Sequence, residues 1–131
     1  MAPKSLYRCY QQLLQEYGDP VTYWPQWCAE TKSGKEQEKI IIGMVLVQRT
    51  SWHNANIALK NLKKENLLSI KKISELKSLD KLTQLIRPAG FYQSKPKCLF
   101  DICVFIVNQG GITRLIKKDT SKLRLALLDI K

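Results

Sequence analysis

The apolar segment 40–47 constrains the fold more than any other feature of the sequence. Its residues, IIIGMVLV, form a continuous and largely β-branched run, which suits a buried strand as well as a buried helix. No other segment supplies a strand to pair with it. Elsewhere the apolar residues recur at steps of three and four, as at Leu6, Tyr10, Leu13 and Tyr17, which is the spacing of one helix face. We therefore predict an all-α fold with segment 40–47 as a central buried helix.

Glycine, proline and serine divide the rest of the chain. Gly18 and Pro20 end the first helix, and segment 21–28 is predicted to be an aromatic loop. Segment 30–39 is predicted to be an exposed connection, with continuation into the next helix as the alternative. Three serines are candidate N-caps for the helices that follow them: Ser51, Ser78 and Ser94. Those helices carry apolar stripes at Ala55, Ala58, Leu59 and Leu62, at Leu79, Leu82, Leu85 and Ile86, and at Leu99, Ile102, Cys103 and Ile106. Further short helices are predicted at 112–116 and 123–130.

The charge balance narrows the possible partners. Lys and Arg number 22 against 11 Asp and Glu, which leaves a net charge of +11 and a pI near 9.6. An excess of this size attracts polyanions, and nucleic acid is the expected partner. A solvated basic surface without a partner is the alternative. No apolar run approaches the roughly 20 residues that span a bilayer, and no secretory signal is present, so we expect no membrane contact and a cytoplasmic location.

The cysteines and the single histidine do not form a recognisable metal or catalytic site. Cys9, Cys28, Cys98 and Cys103 include no Cys-x-x-Cys pair, and a zinc site needs about four ligands at short spacings. We expect all four to be reduced and mostly buried. His53 has no nearby nucleophile or orienting acid and is expected to be exposed. We therefore assign no metal site and no catalytic residue.

Two polar and aromatic turns lie between apolar helical segments. The first contains Gln48, Arg49 and Thr50, and the second is segment 88–95, PAGFYQSK. Together they resemble two DNA-contacting elements of the endonuclease III-like, or helix-hairpin-helix, family of DNA glycosylases. The resemblance covers about residues 40–131 and implies part of the six-helix subdomain of that family. It divides the chain into an N-terminal helix with an aromatic loop, 1–35, and a helical subdomain, 36–131, within one domain overall.

The resemblance implies that the first turn contacts DNA. An enzyme that works on a base must extrude that base from the stack, and something must fill the hole. Gln48, flanked by Arg49 and Thr50, would enter the gap and hydrogen-bond the orphaned partner base. The alternative is that Gln48 is an ordinary polar cap.

The second turn resembles the family's Gly-aromatic-Tyr-x-Ser-Lys segment, which joins a wedge to a helix N-terminus. The resemblance places the wedge at Tyr92 or Gln93, and phosphate contacts at Ser94 and Lys95. The alternative is local, with Ser94 as helix punctuation and Phe91 as a core residue. Pro96 would fall in the first turn of the following helix, where a missing N–H costs little.

The aromatic residues favour the branch of the family that removes alkylated purines. Tyr23 and Trp24 precede a proline, and Trp52 follows the Gln48 turn, as in that branch. A cationic alkylated base is attracted to an electron-rich ring face by about 0.5–2 kcal/mol, and stacking adds to this. The resemblance thus implies a base pocket of Tyr23, Trp24 and Trp52. Core packing is an equally weighted alternative for Trp24.

In this family the catalytic residues come after, in sequence, the part that this chain resembles. The Gly-rich hairpin, the catalytic Asp and the Lys of bifunctional members would all lie beyond Lys131, as would an iron–sulfur cluster if one is present. We therefore expect this chain, without a cofactor of its own, to be the N-terminal part of a glycosylase. That enzyme would hydrolyse the N-glycosidic bond of a damaged, alkylated base in double-stranded DNA. The missing C-terminal half is a candidate partner, and a non-catalytic basic helical module is the alternative.

Overall fold

The computed structural model describes residues 4–28 and 32–130, and every regular element in these ranges is a helix. The predicted all-α fold is confirmed. The chain divides into two compact units, residues 1–33 and 34–131. The two units are described separately below.

Within its described residues, unit 1 contains three helices: α1 at Lys4–Tyr17, α2 at Pro20–Tyr23 and α3 at Pro25–Cys28. Gly18 ends α1 with a φ of +77°, a conformation that glycine adopts without steric cost. The Asp19 carboxylate caps α2 by accepting from Val21 N at 2.9 Å. The prediction of a loop over 21–28 is therefore wrong. Pro20 and Pro25 each stand at a first helical position, where the absent N–H would be unpaired in any case.

Unit 2 contains seven α-helices within its described residues. They are α4 at Gly34–Leu46, α5 at Trp52–Lys64, α6 at Ile70–Ser74, α7 at Asp80–Ile86, α8 at Lys95–Asn108, α9 at Ile112–Leu115 and α10 at Thr120–Leu128. For segment 30–39 the alternative prediction, continuation into the next helix, holds from residue 34 onward, because α4 begins there; residues 30 and 31 lie outside the described residues. Glu36 in the first turn of α4 complements the positive end of the helix dipole.

The predicted buried helix over segment 40–47 is confirmed up to residue 46, where α4 ends. Ile42 and Leu46 of α4 are fully buried, α5 and α8 pack against α4, and α7 packs against α5 and α8. The fully buried large side chains are Ile42, Leu46, Leu59, Leu62, Ile73, Leu82, Ile86, Leu99 and Cys103. Each aliphatic side chain among them contributes about 1.5–3 kcal/mol through burial. This core fixes the helix ends from which the polar turns project.

Two of the three predicted serine caps differ in detail. Ser51 does cap α5, since its hydroxyl accepts from Asn54 N at 3.2 Å. Ser78 bonds the backbone N–H and the carboxylate of Asp80 from outside α7, whose cap position is Leu79. Ser94 stands at the cap position of α8, but its hydroxyl donates back to Phe91 O at 3.4 Å. The Ser94 backbone is helical, and this turns its hydroxyl away from the N–H groups that a cap must reach.

Candidate nucleic-acid interface

The first turn, residues 47–51, joins the buried end of α4 to the start of α5. Asn54 stabilises this turn with two hydrogen bonds. Its backbone N–H donates to Ser51 Oγ, and its side-chain amide donates to Thr50 Oγ1 at 3.1 Å. Arg49 has a φ of +57°, which is uncommon for a residue with a side chain. This kink leaves Gln48 and Arg49 exposed and Thr50 half-buried. The Gln48 amide makes no hydrogen bond to the described part of the chain, so it is available to a ligand.

The second turn begins with a short 3-10 helix, Arg87–Ala89, and runs to the start of α8. Gly90 and Phe91 both have positive φ values, +72° and +47°. Phe91 O then accepts from the backbone N–H groups of Ser94 and Lys95 at 3.1 and 2.9 Å. The outcome is a tight loop in which Phe91 and Tyr92 are 51% and 45% exposed. The alternative prediction that Phe91 is a core residue is wrong.

The two turns contact each other through Arg49 and Phe91, and a second cation–ring contact, between Arg87 and Tyr92, lies within the second turn. The Arg49 guanidinium carbon lies 5.7 Å from the centre of the Phe91 ring, and that of Arg87 lies 5.0 Å from the centre of the Tyr92 ring. Both distances are within the roughly 6 Å over which a cation is attracted to a ring face. We call segments 47–51 and 87–95 the paired loops. Gln48, Arg49, Tyr92, Gln93 and Ser94 are exposed members of this surface.

Lys95 occupies a different place from the one that a phosphate contact requires. The residue is only 7% exposed, and its ammonium donates to Leu46 O at 2.8 Å and to Ala89 O at 2.6 Å. Burial lowers the pKa of Lys95 from its ordinary value, because desolvation disfavours the charged form. The ammonium is therefore engaged inside the protein, between the two loops.

Comparison with known proteins identifies the family of this chain. The family model described as "HhH-GPD superfamily base excision DNA repair protein" matches residues 42–127. The chain belongs to this superfamily. The family resemblance indicated by the two turns is thereby confirmed, and the paired loops lie wholly inside the HhH-GPD match.

A relative gives the same assignment over nearly the whole chain. A "putative DNA repair glycosylase" of Methanocaldococcus jannaschii is 43% identical over 130 residues, which cover 97% of this chain. The chain spans 54% of that relative's length. No solved structure matches the chain at a significant level. None of the helices in the described residues is long and apolar enough to cross a membrane.

The three residues predicted to line an aromatic pocket belong to different units. Tyr23 and Trp24 belong to unit 1, outside the HhH-GPD match, with their ring centres 6.3 Å apart and tilted by 56°. Trp24 is 54% exposed, which does not fit the alternative of a core residue. These two residues and Tyr10, Leu13 and Tyr17 line an apolar groove of about 590 Å³ within unit 1. In unit 2, Trp52 is half-buried and packs against the core beside Gly43.

The described cysteines are all free, but only one is buried. Cys9 and Cys98 are exposed and Cys28 is half-buried, so the expectation that most would be buried is wrong. Burial raises the pKa of the Cys103 thiol to about 12, with a further contribution from the charge of Glu38. Among the described residues, no group of His, Cys, Asp and Glu side chains could hold a metal ion. His53 is exposed.

Sequence reasoning missed two members of the paired loops. Arg87 and Phe91 were not among the predicted DNA-binding residues, although both are exposed and stack within this surface. A signal for Phe91 existed, since it follows Gly90 and lies off the apolar stripes of α7 and α8. Nothing in the linear sequence marked Arg87 as the stacking partner of Tyr92.

Proposed function

We propose that this chain carries the DNA-binding and base-opening part of a base-excision DNA glycosylase. One observation carries the proposal: two turns, about 40 residues apart in sequence, meet through the Arg49–Phe91 contact at 5.7 Å. They present a free amide, two exposed aromatic rings and two guanidinium groups on one surface. This combination suits a duplex from which a base has been extruded, because it offers a gap-filler, a wedge and phosphate-binding cations.

Each exposed group has a role in the proposal. Gln48 enters the space left by the extruded base and hydrogen-bonds the orphaned partner. Tyr92 or Gln93, supported by Phe91, forms the wedge between base pairs. Ser94, at the start of α8, contacts phosphate through its hydroxyl, at the helix end whose dipole favours an anion. The remaining attraction comes from the excess of basic residues, by counterion release.

The paired loops contain no Asp or Glu, so the hydrolytic step needs a carboxylate from elsewhere. Hydrolysis of an N-glycosidic bond by water requires such a group beside the sugar, as base and as stabiliser of the developing positive charge. In this proposal the carboxylate belongs to sequence that corresponds to the rest of the longer relative. The paired loops bind and open the duplex. The C-terminal half that would supply the carboxylate is the candidate partner of the chain.

The finer assignment to alkylated bases is supported by the aromatic residues. Tyr23 and Trp24 are exposed, and Trp52 opens α5 immediately after the first of the paired loops. Ring faces distinguish a cationic alkylated base from its neutral parent by cation–π attraction of about 0.5–2 kcal/mol per contact. We propose Trp52 of unit 2, and independently Tyr23 and Trp24 of unit 1, as candidate aromatic contacts for the alkylated base.

A fluorescence-anisotropy titration tests the role of the paired loops. The chain is titrated with an intact duplex and with the same duplex containing an abasic-site analogue. We expect tighter binding to the abasic duplex, because extruding a base costs a few kcal/mol and that cost is already removed there. Gln48→Ala should lower this preference about fivefold, since a net hydrogen bond contributes about 1 kcal/mol.

The matched control is Gln84→Ala, which removes an exposed glutamine from α7 outside the paired loops. It should keep the wild-type preference. Equal binding of both duplexes by the wild-type chain, or an equal loss in both variants, would rule out Gln48 as the gap-filler.

The same titration with a cationic alkylated purine in the duplex tests the finer assignment. Trp52→Leu should reduce the preference for this duplex over one with the neutral base by about 2- to 30-fold, the range of one cation–π contact. A preference that survives in Trp52→Leu and in Trp24→Leu would remove the alkylated-base assignment but leave the family assignment intact.

A further inference from the structure

Lys95 is the one charged side chain that is buried among the residues whose side chains the structure describes. An ammonium out of water is costly unless its N–H groups are all directed at acceptors. Its hydrogen bonds to Leu46 O and Ala89 O, at 2.8 and 2.6 Å, satisfy two of the three. Because burying an ammonium is costly, the presence of Lys95 in the core requires an explanation other than side-chain packing.

The two acceptors stand at equivalent places in the two turns. Leu46 is the last residue of α4, and Ala89 is the last residue of the 3-10 helix. Carbonyl groups at helix ends have no partner within the helix, and here one ammonium bonds both. Lys95 is therefore bound to the residue just before the first of the paired loops and to a residue inside the second, 49 and 6 residues away in sequence.

The exposed Phe91 ring contacts both Lys95 and Arg49. The Lys95 ammonium lies 5.6 Å from the centre of the Phe91 ring, and the Arg49 guanidinium lies 5.7 Å from it. Arg49 and Phe91 are also residues with positive φ, +57° and +47°. Such backbone conformations persist in residues with side chains only where the surroundings hold them. The Lys95 hydrogen bonds and the stacked ring provide those surroundings.

We propose that Lys95 is a positioning residue, which fixes the spacing between the paired loops so that both contact an opened duplex together. It acts through Leu46, Ala89 and Phe91 rather than by touching DNA. This inference rests on the proposed function, and it changes the role that the family resemblance implied for Lys95 from phosphate contact to internal support.

The test compares Lys95→Met with Lys97→Met. Both variants remove one positive charge from the first turn of α8, but Lys97 is exposed and pairs with Asp101. Lys95→Met should reduce the preference for the abasic over the intact duplex by threefold or more and leave the slope of log K against log salt unchanged. Lys97→Met should keep the wild-type preference. A preference in Lys95→Met equal to that of the control overturns the proposal.

A direct phosphate contact would give a different result. Losing one such contact lowers the salt slope by about 0.9, so a change of that size in Lys95→Met overturns the positioning role. If Lys95→Met does not fold, the wild-type chain still decides the question by NMR. Its Lys95 ammonium should give an exchange-protected resonance that persists in the DNA complex, and loss of that resonance on binding overturns the proposal.

NMR spectra of the protein without DNA test this inference independently of the proposed function. Without DNA, the amide resonances of segments 47–51 and 89–91 should shift in Lys95→Met but not in Lys97→Met. If the wild-type chain shows no preference for the abasic duplex, the proposed function fails, whereas unshifted loop resonances would show that Lys95 does not hold the loops.

Discussion

Cys103 illustrates at the scale of one residue how burial sets a measurable property. Its thiol, on α8, lies in the core, and burial raises its pKa from 9.0 to about 12. In the unfolded chain the thiol ionises near pH 9, whereas in the folded chain it stays protonated. The folded state therefore binds more protons above pH 9, and stability falls as pH rises from about 9 to about 12.

This linkage predicts a pH-dependent difference between two cysteine variants. From pH 8 to pH 10 the wild-type chain should lose about 1.4 kcal/mol of unfolding free energy through this thiol, one pH unit beyond its unfolded pKa. Cys103→Ala should lack that loss, and Cys98→Ala, which changes an exposed thiol, should keep it. Urea unfolding at the two pH values measures the difference. An identical pH dependence in all three proteins would show that Cys103 is not shielded from water.

At the scale of elements, the contact between α4 and α5 depends on Gly43. A Cβ at this position would lie 3.4 Å from Leu59 Cδ1 and 3.4 Å from Trp52 Cη2. Both distances are ordinary van der Waals contacts, so a single methyl group fits here, whereas a larger side chain would press on Leu59 and Trp52. The end of α4 and the start of α5 together support the first of the paired loops.

Enlarging this residue should therefore destabilise the unit. Gly43→Val adds methyl groups toward Leu59 and Trp52, and overpacking of this kind costs about 1–3 kcal/mol. Gly34→Val, at the start of the same helix, meets no atom within 4 Å and should cost less. The urea midpoints of the two variants provide the comparison. Equal midpoints would mean that Trp52 moves aside without resistance.

The same scale shows where sequence reasoning succeeded. The apolar stripes of α5, α7 and α8 were predictable because each repeats over two or more turns. Helices α2 and α3 have four residues each, too short for any period to appear. The roles of Gly43 and Lys95 were also beyond reach, because each depends on an atom from another element. For Lys95 that atom is a carbonyl 49 residues earlier in the chain.

At the scale of the whole molecule, the net charge and the family both indicate DNA binding, and the structure indicates which surface would bind. A net charge of +11 predicts attraction to DNA but does not say which surface binds it. The two turns could be recognised from sequence as separate motifs. Their contact through Arg49 and Phe91, and the burial of Lys95 between them, could not, since both arise from the packing of α4 against α8. The paired loops are the surface that this combination selects.

Chemical-shift mapping by NMR tests this central claim most directly. The ¹⁵N-labelled chain is titrated with a short duplex that contains an abasic-site analogue. The account predicts that the largest amide shifts fall within segments 47–51 and 90–95. The exposed lysine pairs at 71–72 and 117–118 should shift little. Shifts concentrated at those lysine pairs, with the paired loops unchanged, would show that the chain binds DNA through charge alone and would contradict the account.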